Sequence, residues 1–419
     1  MLVDERPGTP VPEAAPDALR PPPGNPRFPL VDGLRAVAAL TVLVGHTSFM
    51  SGFNGNGVFG PIVSRFDVGV ALFFVISGFL LYRPFVAARF TCRPAPRVLR
   101  YARRRLLRIV PAYWLALTAL AVWPGLRGDV FGHWNIYYFF LQDLQIRYIQ
   151  GGITATWSLC VEVQFYALLP FYALAAAYLL RRRSLRVQVR AELIALALLG
   201  TASLVLRTLT FRDPAPDTVS HTVAGTFLWF TFGMTMAVLS ARWHAAEAAT
   251  RPAALRALDR RPAMAWLGGA ALLLLVSRIG LPTVAPQWYS VGDWLWEHIL
   301  YGLIAVAFCL PCMLGRLDPR SIPHRVLTWA PIAWLGLISY GIFLWHHPLT
   351  EKFVGVQDWV PQGSFVLYTL VVAAAATVCA TASYYLVERP LLRFKDPRPP
   401  PPRDRSAPQT DRVELPSAV

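Results

Sequence analysis

The chain is short of charge. Only 15% of its 419 residues are Asp, Glu, Lys or Arg, whereas 55% are hydrophobic and the mean hydropathy is +0.42. A soluble enzyme of this length carries roughly a quarter of its residues charged, so that class is excluded. Cysteine is sparse as well: five are scattered along the chain, and Cys309 with Cys312 forms the only C-x-x-C. Lacking a second ligand pair, that spacing supports neither a zinc site nor a redox centre, and it reads as packing within an apolar span. Lysine is nearly missing, two residues against 38 arginines, which with abundant Ala and Pro points to a GC-rich bacterial genome. The first 29 residues hold nine prolines and lack the basic-then-apolar pattern of a secretory leader, so the first apolar run is expected to be retained.

What is present is a series of apolar stretches near the roughly 20 residues that cross a bilayer. They lie near 31–51, 67–88, 105–123, 159–180, 190–209, 221–240, 263–280, 296–314, 331–350 and 364–386. The expected fold is an all-α integral membrane protein, about ten transmembrane helices around a central polar cavity. The aromatic stretch from Trp134 to Leu141 is a candidate re-entrant or interfacial segment. Loops 89–104, 181–190, 241–262 and 315–330 together carry 19 basic residues, against five in the alternate loops. The positive-inside rule makes the first set cytoplasmic, and an even number of spans places both termini there too. The cytoplasmic membrane of a bacterium is the expected location. Residues 1–29 and 395–419 are expected to be disordered cytoplasmic tails flanking a membrane domain at 30–394, with no appended extracytoplasmic domain. Loop asymmetry accounts for much of the net charge of +16, so the basicity implies no nucleic-acid partner. Arg181, Arg182 and Arg183 are most simply a topological anchor.

Topology assigns depth to the polar residues. Arg35 and His46 are eleven residues apart, a spacing that returns both to nearly one helix face about 16 Å apart along the axis. Ionisable groups in hydrocarbon survive mainly where they face a cavity, a partner or a substrate path. Arg103, Arg104, Arg105 and Arg108 open the third span near the same face as Arg35, and Glu388 and Arg389 end the last span there. The outer half is expected to hold His46, Glu162, His346 and His347. An arginine-rich inner layer suits the phosphates of a bulky donor, and a histidine deeper in the membrane suits proton abstraction from an acceptor hydroxyl. Asp32 with Arg35 also reads as a capping pair, and Arg105 with Arg108 as a headgroup anchor. His346 and His347 are either supporting or acceptor-side groups. Gly69 and Gly78, with Ser77, read as positions of close helix packing.

Six strings carry a resemblance. They are Val31-Asp-Gly-Leu-Arg-Ala36 leading to His46, Gly69-Val-Ala-Leu-Phe-Phe-Val-Ile-Ser-Gly78, and Tyr101-Ala-Arg-Arg-Arg-Leu-Leu-Arg-Ile-Val-Pro111. The others are Thr156-Trp-Ser-Leu-Cys-Val-Glu-Val-Gln-Phe-Tyr166, Ile338-Ser-Tyr-Gly-Ile-Phe-Leu-Trp-His346, and Tyr385-Leu-Val-Glu-Arg-Pro390. In this order, over 30–394, they resemble the acyltransferase-3 family of bacterial membrane O-acyltransferases. The chain departs from the family strings at Val70-Ala-Leu-Phe73 and at Val161-Glu162-Val163, where the family often reads Asp-Leu-Phe and Glu-Glu. The resemblance implies transfer of a short acyl group from acyl-CoA to a sugar hydroxyl, with Arg35 and His46 essential, Arg105 and Arg108 as the R-x-x-R signature, and Glu162 as the glutamate of the fourth span.

The expected mechanism therefore binds the CoA phosphates at Arg105, Arg108 and Arg104, with Arg35 assisting. The pantetheine arm runs toward His46, which acts as general base while Glu162 holds its imidazole. Neither a metal nor a covalent serine or cysteine intermediate is expected. The acceptor is an envelope glycan or glycolipid, or a natural product such as a macrolide, with composition and length slightly favouring the second. The rival class is a transporter or flippase for a glycan or glycolipid, since intramembrane charges also mark solute paths. The absence of an internal repeat and the clustering of arginines at one face weigh against it.

Overall fold

A computed structural model describes residues 28–211, 218–244, 248–281, 290–354 and 364–395. Most of both expected tails, 1–27 and 396–419, lies outside the described residues. Among these described residues ten long helices follow in order: α1 Pro29–Met50, α2 Val68–Phe90, α3 Val98–Val122, α4 Trp157–Leu180 and α5 Leu185–Thr210; then α6 Val223–Trp243, α7 Ala263–Val276, α8 Val291–Met313, α9 Ala330–Val354 and α10 Phe365–Ser383. Each expected apolar stretch falls on one of them. Eight are long and apolar enough to cross a membrane. The other two are α7, with 14 residues, and α9, whose C-terminal half carries His346, His347, Glu351 and Lys352.

Local chemistry sets the ends. Pro29 and Asp32 open α1, the proline supplying a helical φ and the carboxylate meeting the positive end of the dipole. A reciprocal capping box between Ser290 and Asp293 starts α8. α3 and α5 begin several residues before their apolar stretches, because arginine is a good helix former and these Arg-rich turns continue the helix beyond the apolar part. Beyond α10 the chain passes through a π-helical turn at Tyr384–Glu388. The stretch Trp134–Leu141 folds as a short helix and turn against α3: Tyr113 Oη donates to the Tyr137 carbonyl at 2.7 Å and Trp114 Nε1 to the Tyr138 carbonyl at 2.9 Å.

Helix α2 is the buried centre, and its close contact with α6 depends on two glycines. A Cβ on Gly78 would run into the carbonyl of Phe230, and one on Gly233 into that of Val75. The two backbones thus touch, the small-residue packing that replaces hydrophobic drive inside a bilayer. Gly69 does the same for α2 against Ala38 and Thr41 on α1. Cys309 and Cys312, on α8, are buried in the apolar core. By contrast α5 and α10 expose Leu198, Leu209, Val366 and Val378, an outward apolar surface suited to lipid.

Candidate active site

Five helices enclose a cavity of about 70 Å3, room for a handful of waters. Arg35 reaches it from α1, Ser77 from α2, Arg105 and Arg108 from α3, Glu162 and Tyr166 from α4, and Tyr340 from α9. Arg105 lies over the ring of Tyr166, 5.9 Å from its centroid, and Arg108 donates to the carbonyl of Leu337 at 3.3 Å. The Nε–H groups of Arg35 and Arg105 are buried and have no partner among the described residues. Planar guanidinium donors left open toward one polar space form a seat for an anion. Arg104 is exposed and does not line the cavity, so it stands outside the group expected to hold phosphates.

Glu162 belongs to this arginine group. Ser77 Oγ donates to its Oε1, and its charge acts on Arg35 and Tyr166. The expected pairing of Glu162 with His46 is therefore not formed, and Glu162 is not in an outer layer. The reason lies in where α4 starts. The segment before it folds into the protein: Gln142 is buried and donates to Tyr113 Oη at 3.3 Å and Thr156 Oγ1 at 3.1 Å. Asp143 beside it accepts from Gln164 at 2.5 Å. Depth counted from the helix end placed Glu162 too far out, because that end sits inside the molecule.

His46 meets a different partner. Its Nδ1 lies 2.8 Å from His346 Nε2, with the two rings stacked at 5.0 Å and 14°. The ring of His347 stands edge-on to it at 4.7 Å. His346 is fully buried, and its Nδ1 is 2.8 Å from the Phe343 carbonyl and 3.1 Å from that of Ile342. Arg127 and Glu351 pair at 3.3 Å beside His347. None of the three histidines lines the arginine cavity. Phe73 and Phe343, 6.1 Å apart, line the cavity, and Phe343 packs at 5.6 Å against His346. Phe343 thus stands between the two groups, with Phe73 beside it.

Among the described residues, no cluster of three or more His, Cys, Asp or Glu side chains is placed to hold a metal ion. Outside the spanning helices, burial pushes the Asp143 carboxyl up to about 7, offset in part by the Gln164 amide.

A family model described as an acyltransferase domain matches residues 28–385, so it takes in the cavity and the histidines together. The chain belongs to the acyltransferase-3 family. Among similar proteins, YrhL of Bacillus subtilis is 25% identical over 386 residues, 87% of this chain and 55% of its own length. The peptidoglycan O-acetyltransferase OatA of Listeria monocytogenes is 22% identical over 381 residues, 87% of this chain and 55% of its own. An O-acetyltransferase OatA of Staphylococcus aureus is 23% identical over 387 residues, 88% and 58%. The chain spans about half the length of the curated relatives it matches. No solved structure matches it.

Membership places the chain in a family whose model is described as an acyltransferase domain, and the geometry gives definite neighbours to two residues that the sequence had placed only by depth. His346 is the neighbour of His46, a pairing across 300 positions that no spacing rule could foretell. Glu388, in the π-helical turn, is 1% exposed and acts electrostatically on Arg108 and Arg35, while neither carboxylate oxygen has a hydrogen-bond partner among the described residues. A carboxylate two residues before Pro390, at the end of an apolar span, was the available signal.

Proposed function

We propose that the chain moves a short acyl group from acyl-CoA to a hydroxyl of a sugar-containing acceptor. The observation that carries this reading is the cavity holding Arg35, Arg105 and Arg108, where the buried Nε–H groups of Arg35 and Arg105 have no hydrogen-bond partner among the described residues. Such groups favour an anion strongly, because a buried guanidinium donor left unpaired costs on the order of 1–3 kcal/mol or more. The donor's phosphates would occupy this seat. Its thioester arm would then extend toward His46, about 16 Å along α1 from Arg35, once Phe73 and Phe343 swing aside.

In the chemical step the acceptor O–H gives its proton to His46 while the oxygen attacks the thioester carbonyl. The tetrahedral intermediate collapses, the C–S bond breaks, and the thiolate recovers the proton from His46. Glu162 acts within the donor seat, where it fixes Arg35 and balances its charge. The names of OatA relatives support an acceptor in the cell-envelope glycan; a macrolide-like natural product is the other acceptor class. The reaction would take place in the bacterial cytoplasmic membrane with both termini inside.

Purified protein in detergent or vesicles, given acetyl-CoA and candidate acceptors, should release free thiol in step with acceptor acylation. Mass spectrometry of glycans, lipids and secreted metabolites from cells with and without the gene identifies the acceptor. Movement of a glycan or glycolipid without thiol release would overturn the reading in favour of a transporter.

A further inference from the structure

We propose that His346 is the positioning residue that fixes the tautomer of His46, so that the lone pair of the base is on Nε2; this rests on the reading of His46 as general base. The geometry decides the proton positions. His346 Nδ1 faces two carbonyl oxygens, at 2.8 and 3.1 Å, and a ring nitrogen in that place must carry hydrogen, since a lone pair there would be repelled by both. Neutral His346 therefore has its lone pair on Nε2. That nitrogen is 2.8 Å from His46 Nδ1, which must be the donor. The one remaining nitrogen of His46, Nε2, is then an acceptor, and it has no hydrogen bond among the described residues.

The surroundings maintain this chain of bonds. His346 is completely buried, whereas His46 keeps partial exposure, so the inner imidazole is held and the outer one can meet substrate. A doubly protonated His346 would place a cation beneath Phe343 with no carboxylate on it, at a cost of several kcal/mol in this medium. The titratable groups nearby are the buried imidazole of His347 and, beyond it, Arg127 and Glu351, which pair with each other. When Nε2 of His46 takes the acceptor's proton, the positive ring donates through Nδ1–H to His346, which spreads the charge over two imidazoles. This is the part that a carboxylate plays in other base-orienter pairs, and the carboxylate first expected to play it, Glu162, is elsewhere.

Three variants test the proposal: His346→Phe, His346→Gln and His46→Ala. Phenylalanine keeps the ring stack and the burial but cannot accept from His46 Nδ1–H. Glutamine fits the space less well, yet its amide oxygen can reach the position of Nε2. We expect His346→Phe to lower kcat about 100-fold or more with the KM for acyl-CoA unchanged within twofold, and His346→Gln to recover at least tenfold of that loss. A purely structural role predicts the reverse order, because the buried site would favour phenylalanine. In the His46→Ala background His346→Phe should change residual turnover by less than twofold. Phenylalanine within threefold of wild type, or glutamine no better than phenylalanine in protein that still binds donor, overturns the proposal. If His46→Ala itself retains activity, the base reading fails instead. Should His346→Phe not fold, the Gln variant decides: kcat within tenfold of wild type supports the role, and a larger loss refutes it.

Discussion

Arg105→Ala should weaken donor binding and leave the chemical step nearly alone. Arg105 lines the cavity, is stacked over Tyr166, and has a buried Nε–H without a partner among the described residues, so its guanidinium is already held in place for an anion. One charge-assisted hydrogen bond contributes about 1.5–3 kcal/mol, which at 1.4 kcal/mol per factor of ten is roughly a 10- to 150-fold rise in the KM for acyl-CoA. Arg108 already gives one N–H to the Leu337 carbonyl at 3.3 Å, so Arg108→Ala should have the smaller effect. Arg105→Lys keeps the charge but loses the planar fork, and should fall between wild type and alanine. The assay is thiol release against acyl-CoA concentration at saturating acceptor, with folding followed by size-exclusion chromatography. A KM unchanged within twofold in folded Arg105→Ala, or a fall in kcat equal to the rise in KM, would refute the assignment of this cavity to the donor's phosphates.

His46→Ala should reduce kcat by a factor of about 10² to 10⁴ with the KM for acyl-CoA little altered, since it removes proton transfer and not the anion seat; steady-state kinetics on folded protein checks this. Gly78→Ala should destabilise the fold by about 1–3 kcal/mol, because the new Cβ meets the Phe230 carbonyl and pushes α2 from α6; a thermal melt in detergent reads the loss, and an unchanged midpoint contradicts it. The Asp143 carboxyl, raised to about 7 by burial, is protonated in the fold at pH values where the unfolded chain, titrating near 4, has already ionised. Its stabilising contribution is therefore full below about pH 4, falls as pH rises and is gone above about 7. Asp143→Asn should flatten that part of the stability-against-pH curve measured by melts from pH 4 to 8.

The amino-acid sequence by itself determined the helices and one-helix relations. Apolar stretches mark the ten long helices among the described residues, and the eight long and apolar enough to cross a membrane are helical because a continuous run of backbone in lipid has the helix as its only open structure. The 3.6-residue period places Arg35 and His46 on one face of α1, and the R-x-x-R spacing does the same for Arg105 and Arg108, since both are properties of a single helix. Helix ends were less legible where α3 and α5 continue through arginines that hydropathy reads as loop.

Tertiary structure alone decided which helix faces which, and at what offset. It brought Glu162 to Arg35 instead of His46, set His346 beneath His46, turned Glu388 toward Arg108, left Arg104 outside and put Phe343, with Phe73 beside it, between the arginines and the histidines. Each of these depends on how far one helix slides and tilts against another. That shift is fixed by contacts such as the backbone approach at Gly78 and the inward fold of residues 142–156, and a one-dimensional reading of depth assumes that every helix starts at the same plane.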